Sequence, residues 1–194
     1  MQVGIIILAA GNSSRLGQSK QLVQINGVSL LRRSTEIAVQ TTLPVVVVLG
    51  ADAEVHQQVI ADLKTEIVVN DVWQTGMGSS LKAGLSHLIQ TNPKVEAAMI
   101  LVCDQPYLSF AHLQKLIAAN QQQVKPIVAS TYANVIGVPA IFKKELFPHL
   151  LQLDNDSGAR KIIQQFTDQA HVISFEKGEI DIDTPQDLLH LPKA

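Results

Sequence analysis

The chain of 194 residues contains one cysteine, Cys103, so it closes no internal disulfide, and nothing in its thiol content calls for an oxidising compartment. Aromatic residues are scarce at 4%, and Trp73 and Tyr107 are too isolated to suggest a base-stacking platform. Charge is sparse too: 16% of residues are ionic and the net charge is −2, which argues against a broad nucleic-acid surface. No apolar run approaches the roughly 18 residues that a membrane span needs. The start, MQVGIII, lacks the basic segment and small-residue cleavage site of a secretory leader. The six histidines never fall at HxxxH or a similar zinc-pair spacing. Repeats, low-complexity tracts and Pro/Gly/Ser linkers are missing as well. These absences predict a cytoplasmic protein without nucleic-acid or membrane partners, folded as a single domain over residues 1–194.

What is present is a high apolar content, 46%, concentrated in short runs rich in Val and Ile. Strands are expected over 3–8, 45–50, 66–69, 98–103, 127–131, 140–142 and 172–175. Helices are expected over 30–40, 54–63, 79–88, 110–122, 144–150 and 159–166. Leu30, Leu31, Ser34, Ile37 and Ala38 keep a helical period, as do Val55, Val59, Ile60 and Leu63. Strand and helix in alternation imply right-handed crossovers and a largely parallel sheet, which gathers ligands beyond the carboxyl ends of its strands. Charge is uneven along the chain. Residues 1–40 carry four cations against one acid, and residues 151–194 carry four cations against eight acids. One end suits an anion and the other a metal ion; ordinary surface variation accounts for the counts equally well.

Four stretches carry candidate chemistry. The first, LAAGNSSRLGQSKQL, follows the first expected strand. It is neither a Walker A loop nor GxGxxG, because no Lys-Ser or Lys-Thr follows the second glycine and Ser13 stands where the middle glycine belongs. Its physical character is still that of a phosphate loop. Glycines let the backbone approach closely, and free amides together with Asn12, Ser13 and Ser14 can donate to phosphate oxygens. Arg15 adds a planar fork and Lys20 a point charge. A generous turn with two solvated cations has the same composition. The second, NDVWQTGMGSSLKAGL, leads through Gly76 and Gly78 into a helix whose start holds Ser79 and Ser80. Read locally, it is simply a capped helix. The third, AAMILVCDQPYLS, ends a buried strand at Asp104, where a carboxylate can serve Mg²⁺ or cap the following turn. The fourth, GEIDIDTPQDLL, alternates so that Asp181 and Asp183 share one face of an extended segment before Thr184 and Pro185 open a last helix. There Asp183 or Thr184 also suits an N-cap.

Taken together these motifs resemble the MobA-like NTP transferase superfamily, and most nearly its MocA-like molybdenum cofactor cytidylyltransferases. LAAG-x-S-x-R-L-G-x-x-K-x-L is similar to that family's signature loop and to the loop of the isoprenoid cytidylyltransferases. G-M-x-S-S-L, D-Q-P and D-I-D-T-P-x-D-L have counterparts in the same order. GVPAIF and NDSGAR add two weaker matches, with Asn155 where the family pattern has Gly. The resemblance implies a three-layer α/β/α Rossmann-like nucleotidyltransferase fold of the nucleotide-diphospho-sugar transferase type, its mostly parallel mixed sheet including one reversed strand. It implies that Leu8, Ala9, Ala10, Gly11, Asn12, Ser13, Ser14, Arg15 and Lys20 hold the nucleotide with Gly78, Ser79, Ser80 and Asp104. Ser80 would recognise the base.

By the same resemblance Arg15, Lys20 and Asp104 are catalytic, and Asp104 holds Mg²⁺ with a second aspartate, Asp183 ahead of Asp181. Pro139, Arg160 and Asp181 face the acceptor. The implied reaction joins CMP from CTP to a phosphate-bearing acceptor, molybdopterin, and releases pyrophosphate. CTP is favoured over GTP because Ala10 stands where the guanylyltransferases carry Gly. A guanylyl or sugar-phosphate transferase of the same fold, or a nucleotide-binding module without turnover, fits the same motifs. Whether a molybdoenzyme or chaperone partner exists is open.

Overall fold

The computed structural model describes residues 2–190; the expected domain, 1–194, runs past these limits at both ends. Seven strands form one sheet: β1 (Val3–Ala9), β4 (Val45–Leu49), β5 (Glu66–Val69), β6 (Ala97–Val102), β7 (Ile127–Tyr132), β8 (Val135–Lys143) and β9 (Ala170–Ser174). Their order is β5-β4-β1-β6-β8-β7-β9, and only β8 runs against its neighbours. A separate two-stranded hairpin pairs β2 (Gln24–Ile25) with β3 (Val28–Ser29).

Successive β1 side chains point to opposite faces, as the pleat requires. Ile5, Ile7 and Ala9 pack with α1 (Leu30–Val39) and α4 (Phe110–Gln122), while Ile6 and Leu8 pack with α3 (Met77–Thr91), α5 (Phe147–Leu151) and α6 (Ala159–Gln165). The short α2 (Ala53–Val59) joins the first face. The result is the expected three-layer α/β/α fold with a mostly parallel mixed sheet. Among the described residues no helix is long and apolar enough to cross a membrane.

Between β1 and β6 the chain departs in opposite directions, one connection passing to β4 and the other toward β8. That reversal opens a crevice at the carboxyl ends of the two strands. The loop after β1 and the turn holding Asp104 form its walls.

The structure departs from the expected elements most in three places; in addition α2 stops at Val59, short of the expected 54–63. The hairpin β2–β3 was not expected; its turn is Asn26-Gly27, with φ of 52° and 78°, the left-handed pair that suits a tight hairpin. β8 is much longer than residues 140–142. Gly137 and Pro139 disguise it, because proline donates no ladder hydrogen bond. The β7–β8 register slips between Ala129 and Ser130, so that Val138 and Pro139 bulge out of the ladder. Finally, among the described residues the expected last helix is a short 3-10 turn, Asp187–His190.

The bulge is pinned by a buried relay. Ser130 Oγ donates to the Pro139 carbonyl at 2.6 Å and therefore accepts from His112 Nε2, 2.8 Å away. The His112 ring stacks on Phe175 at 4.3 Å. Burial, and secondarily Lys115, lowers the His112 pKa to about 4, so the folded ring stays neutral where the unfolded chain, with its ordinary value near 6.5, takes up a proton. Stability contributed by the neutral ring is therefore lost as pH falls from about 6.5 to about 4. His56, also lowered by burial, acts in the same sense. The melting temperature is expected to decline across this window, and His112→Asn to flatten part of the slope; a wild-type melting temperature that stays level from pH 6.5 to 4.5 contradicts the assignment.

Candidate active site

The loop after β1 is held from inside by a glutamine. Gln21 is 1% exposed; its Nε2 donates to the carbonyls of Ala9 at 2.9 Å and Gly11 at 2.7 Å. Its Oε1 accepts from the hydroxyls of Ser19 at 2.9 Å and Ser13 at 3.3 Å. Because Ser19 spends its proton on Gln21, its oxygen accepts from His56 Nε2, 2.7 Å away. Ser13 Oγ in turn accepts from the Lys20 amide at 2.9 Å. Ser13 thus braces the loop, while Gly11, Asn12, Ser14 and Arg15 remain exposed to an incoming ligand.

Lys20 points into the crevice. Its Nζ lies 2.9 Å from Asp104 Oδ2 and 2.5 Å from Asp183 Oδ1, and Arg15 Nη2 reaches Asp183 Oδ2 at 2.6 Å. Burial works against the Lys20 charge, but the two carboxylates outweigh it and hold the pKa above the ordinary lysine value. Burial likewise opposes the Asp183 charge, and Lys20 and Arg15 reverse that effect and lower its pKa. The two Lys20 distances cap the separation of the bonded aspartate oxygens at about 5.4 Å. Cys103, beside them, is pushed up to about 12 by burial and the Asp104 charge, so it remains a protonated, buried thiol.

Packing explains how the C-terminal tail reaches this point. Ile182 is fully buried with Leu16, Val23, Ile25 and Leu30 in a small apolar cluster that joins the loop, the hairpin and the tail. Its amide donates to the Asp104 carbonyl at 3.1 Å. With Ile182 turned inward, alternation sends Asp181 and Asp183 outward together. Asp183 meets Lys20, whereas Asp181 faces a neighbouring cavity, its pKa raised by burial and by the charges of Asp104 and Asp183.

The start of α3 forms the opposite wall. Asn70, buried at the end of β5, donates from Nδ2 to Ser79 Oγ at 2.8 Å and Ser80 Oγ at 3.0 Å. Ser79 turns its own proton back to the Gly76 carbonyl at 2.7 Å, and the Gly78 amide donates to the Asn155 carbonyl at 2.7 Å. Both therefore serve the cradle's own architecture, and Ser80 is the one of the three that borders open space. Asn155 does more than replace a glycine: its Oδ1 accepts from Lys82 Nζ at 2.5 Å, tying the 154–158 loop to α3.

Two cavities of about 300 Å³ each open on this crevice. The first is bordered by Leu8 to Asn12, Lys20, Gln21, Trp73, Ser80 and Asp104. The second is bordered by Gln105, Tyr132, Val138, Arg160, Glu179 and Asp181. Leu8, Met77, Val102 and Asp104 belong to both. Pro139 is buried in β8 behind the second cavity, and it is Gly137 and Val138, beside it in the strand, that border that space.

The MobA-like NTP transferase domain matches residues 5–172. The chain belongs to this family. Similar proteins include the purine catabolism protein PucB of Bacillus subtilis (strain 168), 26% identical over 94% of this chain and 92% of that protein. Nicotine blue oxidoreductase of Paenarthrobacter nicotinovorans is 31% identical over 96% and 94%. The molybdenum cofactor cytidylyltransferase of Escherichia coli (strain K12) is 26% identical over 96% and 94%. Among solved structures, Rv0371C of Mycobacterium tuberculosis H37Rv, in complex with manganese, superposes with a TM-score of 0.81 at 24% identity, covering 98% of each chain.

Several residues of this MobA-like site are not evident from its motifs. Gln21 and Gln105 are buried polar side chains directly after Lys20 and Asp104, and their neighbours draw attention from them. Trp73, isolated in the sequence, stands in the wall of the first cavity. The glycines of the α3 cradle are sterically required: a Cβ on Gly78 would lie 2.2 Å from the Asp154 carbonyl oxygen. Gly78→Ala is therefore expected to lower the free energy of unfolding by about 1–3 kcal/mol, measured by urea denaturation. A change below about 0.5 kcal/mol would mean that the loop is not seated against the helix.

Proposed function

We propose that this MobA-like protein transfers CMP from CTP to a phosphate of molybdopterin, releasing pyrophosphate. One observation carries the reading: two similar cavities meet along a shared border that includes Asp104, with Lys20 beside it. CTP would occupy the first cavity with its phosphates on the loop, and the acceptor the second, with its phosphate near Arg160. An oxygen of the acceptor phosphate forms a bond to the α-phosphorus. The bond from that phosphorus to the bridging oxygen breaks, and its electron pair leaves on pyrophosphate. The acceptor phosphate is already ionised, so no side-chain nucleophile is required. Positioning and charge stabilisation dominate such chemistry, and Lys20 and Arg15 supply the positive charge at the leaving group.

Asp104 and Asp183 suit Mg²⁺, which takes one or two carboxylates together with phosphate oxygens. Held by Asp104 and Asp183, such an ion would supply positive charge against the nucleotide phosphates. The donor set fits, since one ammonium already spans both carboxylates. Among the described residues no cluster of three or more His, Cys, Asp or Glu forms a ready-made cage, so phosphate oxygens would complete the coordination. Lys20 would then leave the aspartates for the phosphates.

The names of the relatives bear on the substrates. The Escherichia coli protein supports cytidylyl transfer to the molybdenum cofactor, and the manganese complex supports a divalent ion. The oxidoreductase name of another relative is a reminder that one fold hosts several chemistries; Arg15, Lys20 and Asp104 at the phosphate end favour transfer here. The Ala10 methyl narrows the space beside the loop, so the smaller pyrimidine is preferred.

Pyrophosphate release measured with each NTP, with and without molybdopterin, tests the reading. CTP with molybdopterin is expected to turn over fastest, and equal or faster turnover of GTP contradicts the base assignment. Lys20→Ala is expected to lower kcat by roughly 10²–10³-fold, the usual cost of removing one group that meets transition-state charge. Arg15→Lys should rescue poorly for want of the planar fork. Near-normal kcat in Lys20→Ala would reduce the loop to a structural turn.

A further inference from the structure

Gln105 is 7% exposed and lies on the wall of the second cavity. Its amide nitrogen is committed, donating to the Gly178 carbonyl at 3.0 Å and the Val138 carbonyl at 3.2 Å. Those carbonyls also settle which way the amide faces, because the reverse orientation would set its oxygen against two other oxygens. The side-chain oxygen, Oε1, is left buried without a hydrogen-bond partner. A buried acceptor left unpaired is costly, and such groups are rare in folded proteins.

The rest of the cavity shares this bias toward acceptors. Glu179 and Asp181 add carboxylates, and the Tyr132 hydroxyl spends its proton on the Val138 carbonyl at 3.1 Å. Arg160 is the cation on this wall. A phosphate has a partner there in Arg160, whereas the body of a ligand meets mainly groups that accept hydrogen bonds. The first cavity has the opposite character, with Lys20 and the loop amides donating.

We infer that Gln105 determines acceptor specificity: its Oε1 accepts a hydrogen bond from an N–H or O–H on the body of the acceptor, beyond the phosphate. The site thereby selects donor-bearing acceptors, either an N-heterocycle with amide-type N–H groups or a hydroxyl-rich sugar. This rests on the transferase reading above.

The test compares the wild-type chain with Gln105→Met and Gln105→Glu, using CTP with molybdopterin in one arm and glucose 1-phosphate in the other. The arm that turns over identifies the source of the donor. Met matches Gln in length but has neither amide oxygen nor amide hydrogens. Glu keeps the side-chain length and a carboxyl oxygen that can accept the ligand's hydrogen bond. For Gln105→Met the acceptor KM is expected to rise about 10- to 100-fold, as for a ligand donor left unpaired, with kcat and the KM for CTP within about twofold. Gln105→Glu should recover part of the loss. An acceptor KM within twofold of wild type in Gln105→Met overturns the inference, as does a parallel rise in the KM for CTP, which would signal general loosening. If the wild type turns over neither acceptor, the transferase reading fails, and molybdopterin binding followed by its own fluorescence decides the inference separately. Binding weakened tenfold or more in Gln105→Met supports it; equal binding, or none by the wild type, overturns it.

Discussion

The Lys20 ammonium between Asp104 and Asp183 is the interaction on which the site depends. It draws together the loop after β1, the end of β6 and the C-terminal tail, segments separated by 84 and 163 residues along the chain. Buried ion pairs add little net stability once desolvation is counted, but breaking one strands a charge. Their value here is positional. With Lys20 in place, two carboxylates that would otherwise repel are held within reach of a single cation, and the apolar contact of Ile182 with Leu16 fixes the tail so that the geometry recurs.

The same arrangement divides the crevice by chemistry. The loop side presents cations, amides and hydroxyls, a surface for phosphates. The tail side presents Asp181 and Glu179, a surface for donors, with Arg160 on its wall and the buried Gln105 oxygen behind it. Of the uneven charge of the sequence, Arg15 and Lys20 from the start and Glu179, Asp181 and Asp183 from the end meet in this groove, while Arg32 pairs with Glu36 and Asp62 elsewhere. Asp104 stands at the border because β6 lies beside β1 where the sheet order reverses.

Much of this was legible from the residues. Arg15, Lys20 and Asp104 follow apolar strand runs, where a parallel sheet exposes its ligand edge, and local pattern suffices to place them. Asp183 was legible only as one of two candidates, because its choice over Asp181 for Lys20 depends on tertiary packing around Ile182. Ser79 and Gly78 carry the same motif signal as Ser80, yet they turn inward, a distinction set by Asn70 and the Asn155 carbonyl rather than by spacing. The long β8 was hidden by Gly137 and Pro139, whose bulge is accommodated by Ser130 and His112 from other elements. The Asn26-Gly27 turn, by contrast, did carry a local hairpin signal. Its strands are two residues each, too short for alternation to register.

Lys20 lies between Asp104 and Asp183, and on the proposed function nucleotide phosphates would draw it away and a divalent ion would take its place. Manganese titration followed by electron paramagnetic resonance, with and without CTP, tests this most directly in the wild type and Lys20→Ala. Without nucleotide, the wild type should bind Mn²⁺ weakly and Lys20→Ala more tightly, because the competing ammonium is gone. CTP should tighten binding to the wild type. Equal or weaker Mn²⁺ binding by Lys20→Ala, or wild-type binding indifferent to CTP, would contradict the account.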